Sequence, residues 1–277
     1  MTKYLLTSWL FFSMLFAFTK GNAQEIAIYK KDSIVGEFDC FSVDNFGNIY
    51  LVKEDILYKL SPALDTLFKT SFKSHFPQYI EASKNFRVLT FDQDRGLIQF
   101  YDNTLTPMST VINLFDLDLV QPLLVCESFN GNGFWVLDAG TLRLLKINDK
   151  FEVMVKIENL SFMTKSKLYP TQMFEYNDQL YLVTAHDQVM VFDAFGTYIR
   201  KWALKSESLD VFQNNIIAYV SPNFVLSRAI LDGEKKSVRW PLQDLKTFKV
   251  RQNRIYAQTA NGFYIGYFNL ISPANNK

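Results

Sequence analysis

Few residues in this chain could make or break bonds: His75 and His186, Cys40 and Cys126, and carboxylates scattered along 277 residues. His75 lies in Ser71-Phe72-Lys73-Ser74-His75-Phe76-Pro77 and His186 in Ala185-His186-Asp187-Gln188. Neither has a second His or Cys close in sequence, as a zinc site of that type needs, so both read as surface-loop residues. A serine nucleophile requires a base and an orienting acid, and no Gly-x-Ser-x-Gly occurs. Asp92-Gln93-Asp94 and Asp116-Leu117-Asp118 look superficially like calcium ligands but lack the spacing and glycine of a calcium loop; they read as solvated turns. Asn130-Gly131-Asn132-Gly133 fits a hairpin turn rather than a phosphate cradle. No catalytic residue, metal ligand or cofactor is assigned.

Composition narrows the classes further. Lys+Arg 29 against Asp+Glu 28, with no basic block, argues against nucleic acid as a partner, because phosphate binding needs clustered cations. A charged fraction of 21%, with 48% hydrophobic and 16% aromatic residues, is that of a folded chain with a sizeable core. Residues 1–23 read as a secretory signal peptide: Lys3, an apolar stretch Leu5–Phe18, then Gly21-Asn22-Ala23 before a cut at Gln24. The stretch is short for a membrane span, which needs about 20 residues, and no second one approaches that length. The expectation is a periplasmic or extracellular protein, not itself membrane-spanning, with 24–277 as one domain and Cys40 and Cys126 exported to an oxidising compartment.

What positions these residues is a repeat. A turn rich in Asn, Asp and Gly precedes an alternating apolar run at Asn48–Val52, Arg87–Phe91, Gly133–Leu137, Gln179–Val183, Asn215–Tyr219 and Arg254–Gln258. The second residues of these runs are spaced by 39, 46, 46, 36 and 39 positions. Strand-like runs flank each copy, and no segment of ordinary length has helical periodicity. Four strands per repeat, six times, predicts an all-β, six-bladed β-propeller. The short run Ile26–Tyr29 has no repeat of its own and is expected to complete the last blade, closing the ring and hiding an edge. Cys40 and Cys126 fall in first strands of non-neighbouring blades. A disulfide needs Cα atoms within about 7 Å, so buried free thiols are expected. Tyr50, Trp135 and Tyr181 alternate so as to be buried between blades rather than to line a carbohydrate groove.

The turn Asp44-Asn45-Phe46-Gly47-Asn48-Ile49-Tyr50 resembles the blade consensus of the NHL and TolB-like six-bladed propellers. That resemblance is architectural, and such folds host enzymes, sugar binders and scaffolds alike. Metal-dependent lactonase and lyase propellers aim acids, Asn and His into the central channel; the matching first strands here carry Cys40, Ser42, Glu81, Ser83, Cys126, Ser128, Gln172, Asp210 and Lys246. Only Glu81 and Asp210 are acids, few for a hard cation. Two connectors between blades, Asn113–Leu119 and Glu158–Pro170, are long and apolar for loops. Phe115, Leu117, Leu119, Phe162, Met163, Leu168 and Tyr169 are therefore the candidate partner-binding residues. The reading is a non-catalytic exported propeller that docks in a cell-envelope complex. In size, leader and lack of a C-terminal sorting domain the chain also resembles the plug-type subunits of the type 9 secretion translocon, which implies an outer-membrane channel as partner. The alternative is a metal-dependent lactonase or lyase acting on a sugar acid or polysaccharide.

Overall fold

The computed structural model describes residues 28–82, 86–128, 133–160, 168–185, 188–204, 206–212, 215–220, 223–228, 235–239 and 244–268. The leader expected over residues 1–23 lies outside them, as do Ser83, Phe162, Met163 and His186. Strand β1 (Ile28–Val35) comes first. Sheet 1 is then β2 (Cys40–Val43), β3 (Ile49–Lys53), β4 (Ile56–Leu60) and β5 (Thr66–Ser71). Sheet 2 is β6 (Tyr79–Glu81), β7 (Val88–Asp92), β8 (Leu97–Tyr101) and β9 (Ile112–Asn113). Sheet 3 is β10 (Pro122–Glu127), β11 (Phe134–Asp138), β12 (Arg143–Ile147) and β13 (Val153–Ile157). Sheet 4 is β14 (Pro170–Tyr176), β15 (Gln179–Thr184), β16 (Gln188–Asp193) and β17 (Tyr198–Ala203). Sheet 5 is β18 (Ser208–Phe212), β19 (Asn215–Val220), β20 (Asn223–Arg228) and β21 (Lys235–Arg239). Sheet 6 is β22 (Leu245–Arg251), β23 (Arg254–Thr259) and β24 (Gly262–Phe268), with β1 paired antiparallel to β24 from Ile28↔Phe268 to Val35↔Gly262. The fold is thus an all-β propeller of four-stranded antiparallel blades. The helical exceptions among the described residues are a 3-10 turn, Leu114–Leu117, and Leu160.

The repeated runs found in the sequence are the second strands, and they are the most buried: β7 and β11 are buried at every position. A strand buried on both faces reads as a continuous apolar run rather than a strict alternation. Outer strands show the reverse, as in β5 with its exposed Leu67 and Phe68. The core is accordingly layered between sheets. Leu89, Phe91, Ile98 and Phe100 of sheet 2 meet Val125, Phe134 and Val136 of sheet 3. Phe41 and Ile49 of sheet 1 meet Tyr256, Phe263 and Ile265 of sheet 6. Tyr50, Trp135 and Tyr181 are all buried in these layers, as their alternation predicts. Trp135, wholly buried, satisfies its one donor through Nε1 to Glu175 Oε2 at 2.6 Å.

Five of the polar turns among the described residues are copies of one device, at Asp44, Ser61, Asp102, Asn148 and Asp193. In each, the side-chain oxygen of the first residue accepts from the backbone N–H two and four residues on, as from Phe46 and Asn48 to Asp44, or from Phe195 and Thr197 to Asp193. The first residue's own N–H and C=O close the loop onto the fifth and fourth residues. The fourth residue takes positive φ: Gly47, Leu64, Leu105, Phe151 and Gly196. Gly133 has a different need, since at φ +98 an added Cβ would stand 1.8 Å from the Ile147 carbonyl oxygen.

Candidate functional site

Antiparallel order separates two faces of the ring. First-to-second and third-to-fourth strand turns open on one, the turn face. Second-to-third turns and the connectors to the next sheet open on the other, the connector face.

Four of the first-strand side chains that might have formed a channel site instead staple one sheet to the next. Ser42 Oγ accepts from Ala82 N at 3.0 Å, and Glu81 Oε2 accepts from Glu127 N at 2.7 Å. Gln172 bonds Leu209 both ways, donating from Nε2 to its carbonyl at 2.6 Å and accepting its N–H at 3.1 Å. Asp210 Oδ2 accepts from Val250 N at 2.7 Å and pairs with Arg251 at 2.9 Å. Glu81 and Asp210 do line a common cavity of about 280 Å³ at the inner strands, together with Ser42, Phe174, Lys249 and Arg251. Each nevertheless spends an oxygen on a neighbouring backbone N–H. Among the described residues no three His, Cys, Asp or Glu side chains are placed to share a metal ion. Lys246 is exposed, while Ser128 is buried.

Neither thiol is in a disulfide and both are buried, as expected. Cys40 Sγ donates to the Pro77 carbonyl at 3.6 Å, and burial first, then Asp39, pushes its thiol well above the ordinary range. Inert thiols of this kind are structural.

His75 corrects the sequence reading. It is not a surface-loop residue but is only 3% exposed, edge-on to Phe72 and with Nε2 3.4 Å from Tyr101 Oη. Burial lowers its pKa against the opposing charge of Asp92, and Arg95 adds to the lowering. Burial also pushes the Tyr101 phenol up to about 12. Asp92 is likewise no solvated turn residue: it is buried and accepts from Phe76 N at 2.8 Å and Arg95 N at 3.1 Å. It anchors the sheet 1–2 connector, a long-range task with no local motif. Asp116 and Asp118 are exposed, with Asp118 in the left-handed conformation that ends the 3-10 turn.

The expected docking residues divide. Leu119, 4% exposed, and Leu168, 7% exposed, are core side chains of the sheet 2–3 and sheet 3–4 layers, a correction to their assignment to a partner surface. Leu117 packs part-buried on the same sheet 2–3 layer. Leu117 and Leu119, and the described ends of the sheet 3–4 connector at Leu160 and Leu168, thus fill the gaps between sheets, where burial of their side chains holds them. Phe115 and Tyr169 remain outside, 45% and 42% exposed. Phe115 lies over Gly96, where any Cβ would meet its ring at 2.8 Å. The structure adds two residues that sequence reasoning missed, Phe76 (48% exposed) and Val120 (63%). The connector face thus shows apolar side chains in three successive connectors, sheet 1–2, 2–3 and 3–4. Exposed acids share this face at Asp39, Glu54, Asp55, Asp94, Asp116 and Asp118, as do exposed Lys53, Lys73 and Arg95, whose guanidinium lies over the Phe76 ring at 5.2 Å.

No family model matches the chain, and no curated protein matches it. Solved structures do. The Pan2 WD40 domain of Neurospora crassa is similar with a TM-score of 0.61 at 10% identity, over 88% of this chain and 97% of that one. BBS1N, crystallised in complex with ARL6DN, is similar at 0.56 and 12% identity, over 82% and 76%. BamB from Moraxella catarrhalis is similar at 0.53 and 12% identity, over 87% and 100%. At such identities the likeness establishes fold alone: this chain has the β-propeller fold.

Proposed function

We propose that the protein is a non-catalytic β-propeller acting as a protein-interaction subunit of a cell-envelope complex, exported to the periplasm or cell exterior. The observation that carries it is the connector face, where Phe76, Phe115, Val120 and Tyr169 stand exposed on three successive connectors. Exposed aromatic and aliphatic side chains within a polar rim are the composition of a protein interface. Support also comes from BBS1N, a similar fold whose structure is of a complex with another protein, ARL6DN. The leader-like residues 1–23 support export. The finer form of the proposal is a plug-type subunit of an outer-membrane secretion translocon, bound to its channel. The catalytic alternative loses ground because Glu81 and Asp210 serve as inter-sheet acceptors.

The test is purification of the tagged protein from gently solubilised envelopes of its own host, with mass spectrometry of what accompanies it. A stoichiometric envelope protein is expected, lost from a Phe115→Ser/Val120→Ser/Tyr169→Ser variant. Substitutions at exposed positions leave stability within about 0.5 kcal/mol each, so the variant stays folded. Retention of the partner by that variant, or the absence of any stoichiometric partner, defeats the proposal.

A further inference from the structure

The opposite face carries an apolar set of its own. Phe46, Phe86, Phe151 and Phe195 stand on turns of sheets 1, 2, 3 and 4, exposed by 63%, 70%, 43% and 82%, and Met108, between β8 and β9 of sheet 2, is exposed by 57%. Phe46 and Phe86 stack across two sheets, ring centroids 5.7 Å apart. Adjacent turns are tied together: Arg87 pairs with Asp149 at 3.0 Å, and Lys146 Nζ donates to Ala194 O at 3.4 Å. The phenylalanines therefore sit on a stiff rim of consecutive sheets rather than on independent loops.

Two of them are held at a conformational cost. Phe86 and Phe151 have φ of 55° and 65°, where a side chain this bulky is an outlier. Leu64 and Leu105 occupy the same turn position as Phe151 with positive φ, but they turn inward onto the core. Core packing explains those leucines and leaves the exposed phenylalanines unexplained. Backbone N–H groups of the Phe46, Phe151 and Phe195 turns, by contrast, are already taken up by Asp44, Asn148 and Asp193. Such a tip can leave water without stranding a backbone donor.

We propose that this turn face rests on a lipid surface, with the phenylalanines inserted at the headgroup–acyl boundary. The chain outside the described strands favours lipid over other occupants. Strand β1 starts at this same face, Ile28 opposite Phe268 at the end of β24. Only Thr19–Ala27, nine residues, separate it from the apolar stretch Leu5–Phe18. Nine residues reach at most about 30 Å, so while the leader is membrane-held this face is the one brought to the bilayer. Asp65, Asp149 and Asp178 are exposed on it, so a zwitterionic membrane suits it better than an anionic one. The inference does not rest on the connector-face reading; it places the partner on the side away from the membrane.

The experiment is flotation of the chain from Gln24, which retains every described strand, with phosphatidylcholine vesicles. Binding is expected, cut at least tenfold in Phe46→Ser/Phe86→Ser/Phe195→Ser and unchanged in Phe115→Ser/Tyr169→Ser. Replacing a third of the lipid by phosphatidylglycerol is expected to weaken it. Protein left in the lipid-free fraction overturns the inference, as does equal binding by the turn-face variant. Light scattering that shows a lipid-free dimer dissolved by the same three substitutions overturns it too, and assigns the face to a second copy of the chain. None of these results bears on the envelope partner, whose variant lies on the other face.

Discussion

Arg87 joins sheet 2 to sheet 3 through three contacts and packs on its own sheet through a fourth. Its guanidinium pairs with the fully buried Glu127, reaches Asp149 at 3.0 Å and the Gly133 carbonyl at 3.3 Å, and lies over the Phe100 ring at 4.5 Å. Removing one member of a buried pair costs more than the pair contributes, because a charge stays behind in a site built for two. Arg87→Met is expected to destabilise by about 3–5 kcal/mol in chemical denaturation. Adding Glu127→Gln should recover a large part of that loss, and a double variant no better than the single one would contradict this account. His75 sets a pH dependence of known sign. Its folded pKa lies below the unfolded value, so the unfolded chain takes up the proton first. The associated stability is complete above about pH 6.5 and is lost as pH falls toward the folded pKa, at no more than about 1.4 kcal/mol per pH unit. Each kcal/mol is about 2–4 °C in Tm. Melting between pH 7.5 and 5 should show that slope in the wild type and a flatter one in His75→Gln; parallel curves would exclude His75 as its origin.

Strand β1 is the element on which the sixth sheet depends. It supplies the outer strand against β24, and Gln258 Nε2 donates to the Phe38 carbonyl just beyond it, tying sheet 6 to sheet 1. A chain beginning at Gly36 leaves the β24 edge open, with Phe263, Ile265 and Tyr267 along the strand that borders it. Unpaired edges template association. Size exclusion with light scattering should show this truncated chain self-associating as concentration rises, while the longer chain stays monomeric under the same conditions. A truncated chain that is monomeric and melts unchanged would show that β1 is dispensable.

Across the whole molecule, what could be read beforehand was whatever local pattern encodes. Second strands such as Phe134–Asp138 announce themselves as apolar runs behind polar turns; a side-chain-closed turn accounts for the Asp-Asn-Phe-Gly before β3, while the other four such turns recur between third and fourth strands. The burial of Tyr50 and Trp135 and the unpaired state of Cys40 follow from the same periodicity. The staples were not legible, since Glu81 meets Glu127 N and Asp210 meets Val250 N only after the sheets are ranged side by side. For the same reason Leu119 and Leu168 could not be told from Phe115 and Tyr169: all four are apolar residues in apolar connectors, and only the width of the gap between sheets decides which are swallowed.

The pairing of Ile28 with Phe268 has a further consequence, which concerns time rather than stability. A chain that emerges N-terminus first presents β1 before any other strand, and its partner last of all. Every other sheet draws its four strands from one contiguous stretch and can form as that stretch appears. Sheet 6 has to wait. Until β24 arrives, one strand and one sheet edge stay open to whatever else is near, so the pairing of β1 with β24 is what ends this fold's vulnerability to capture.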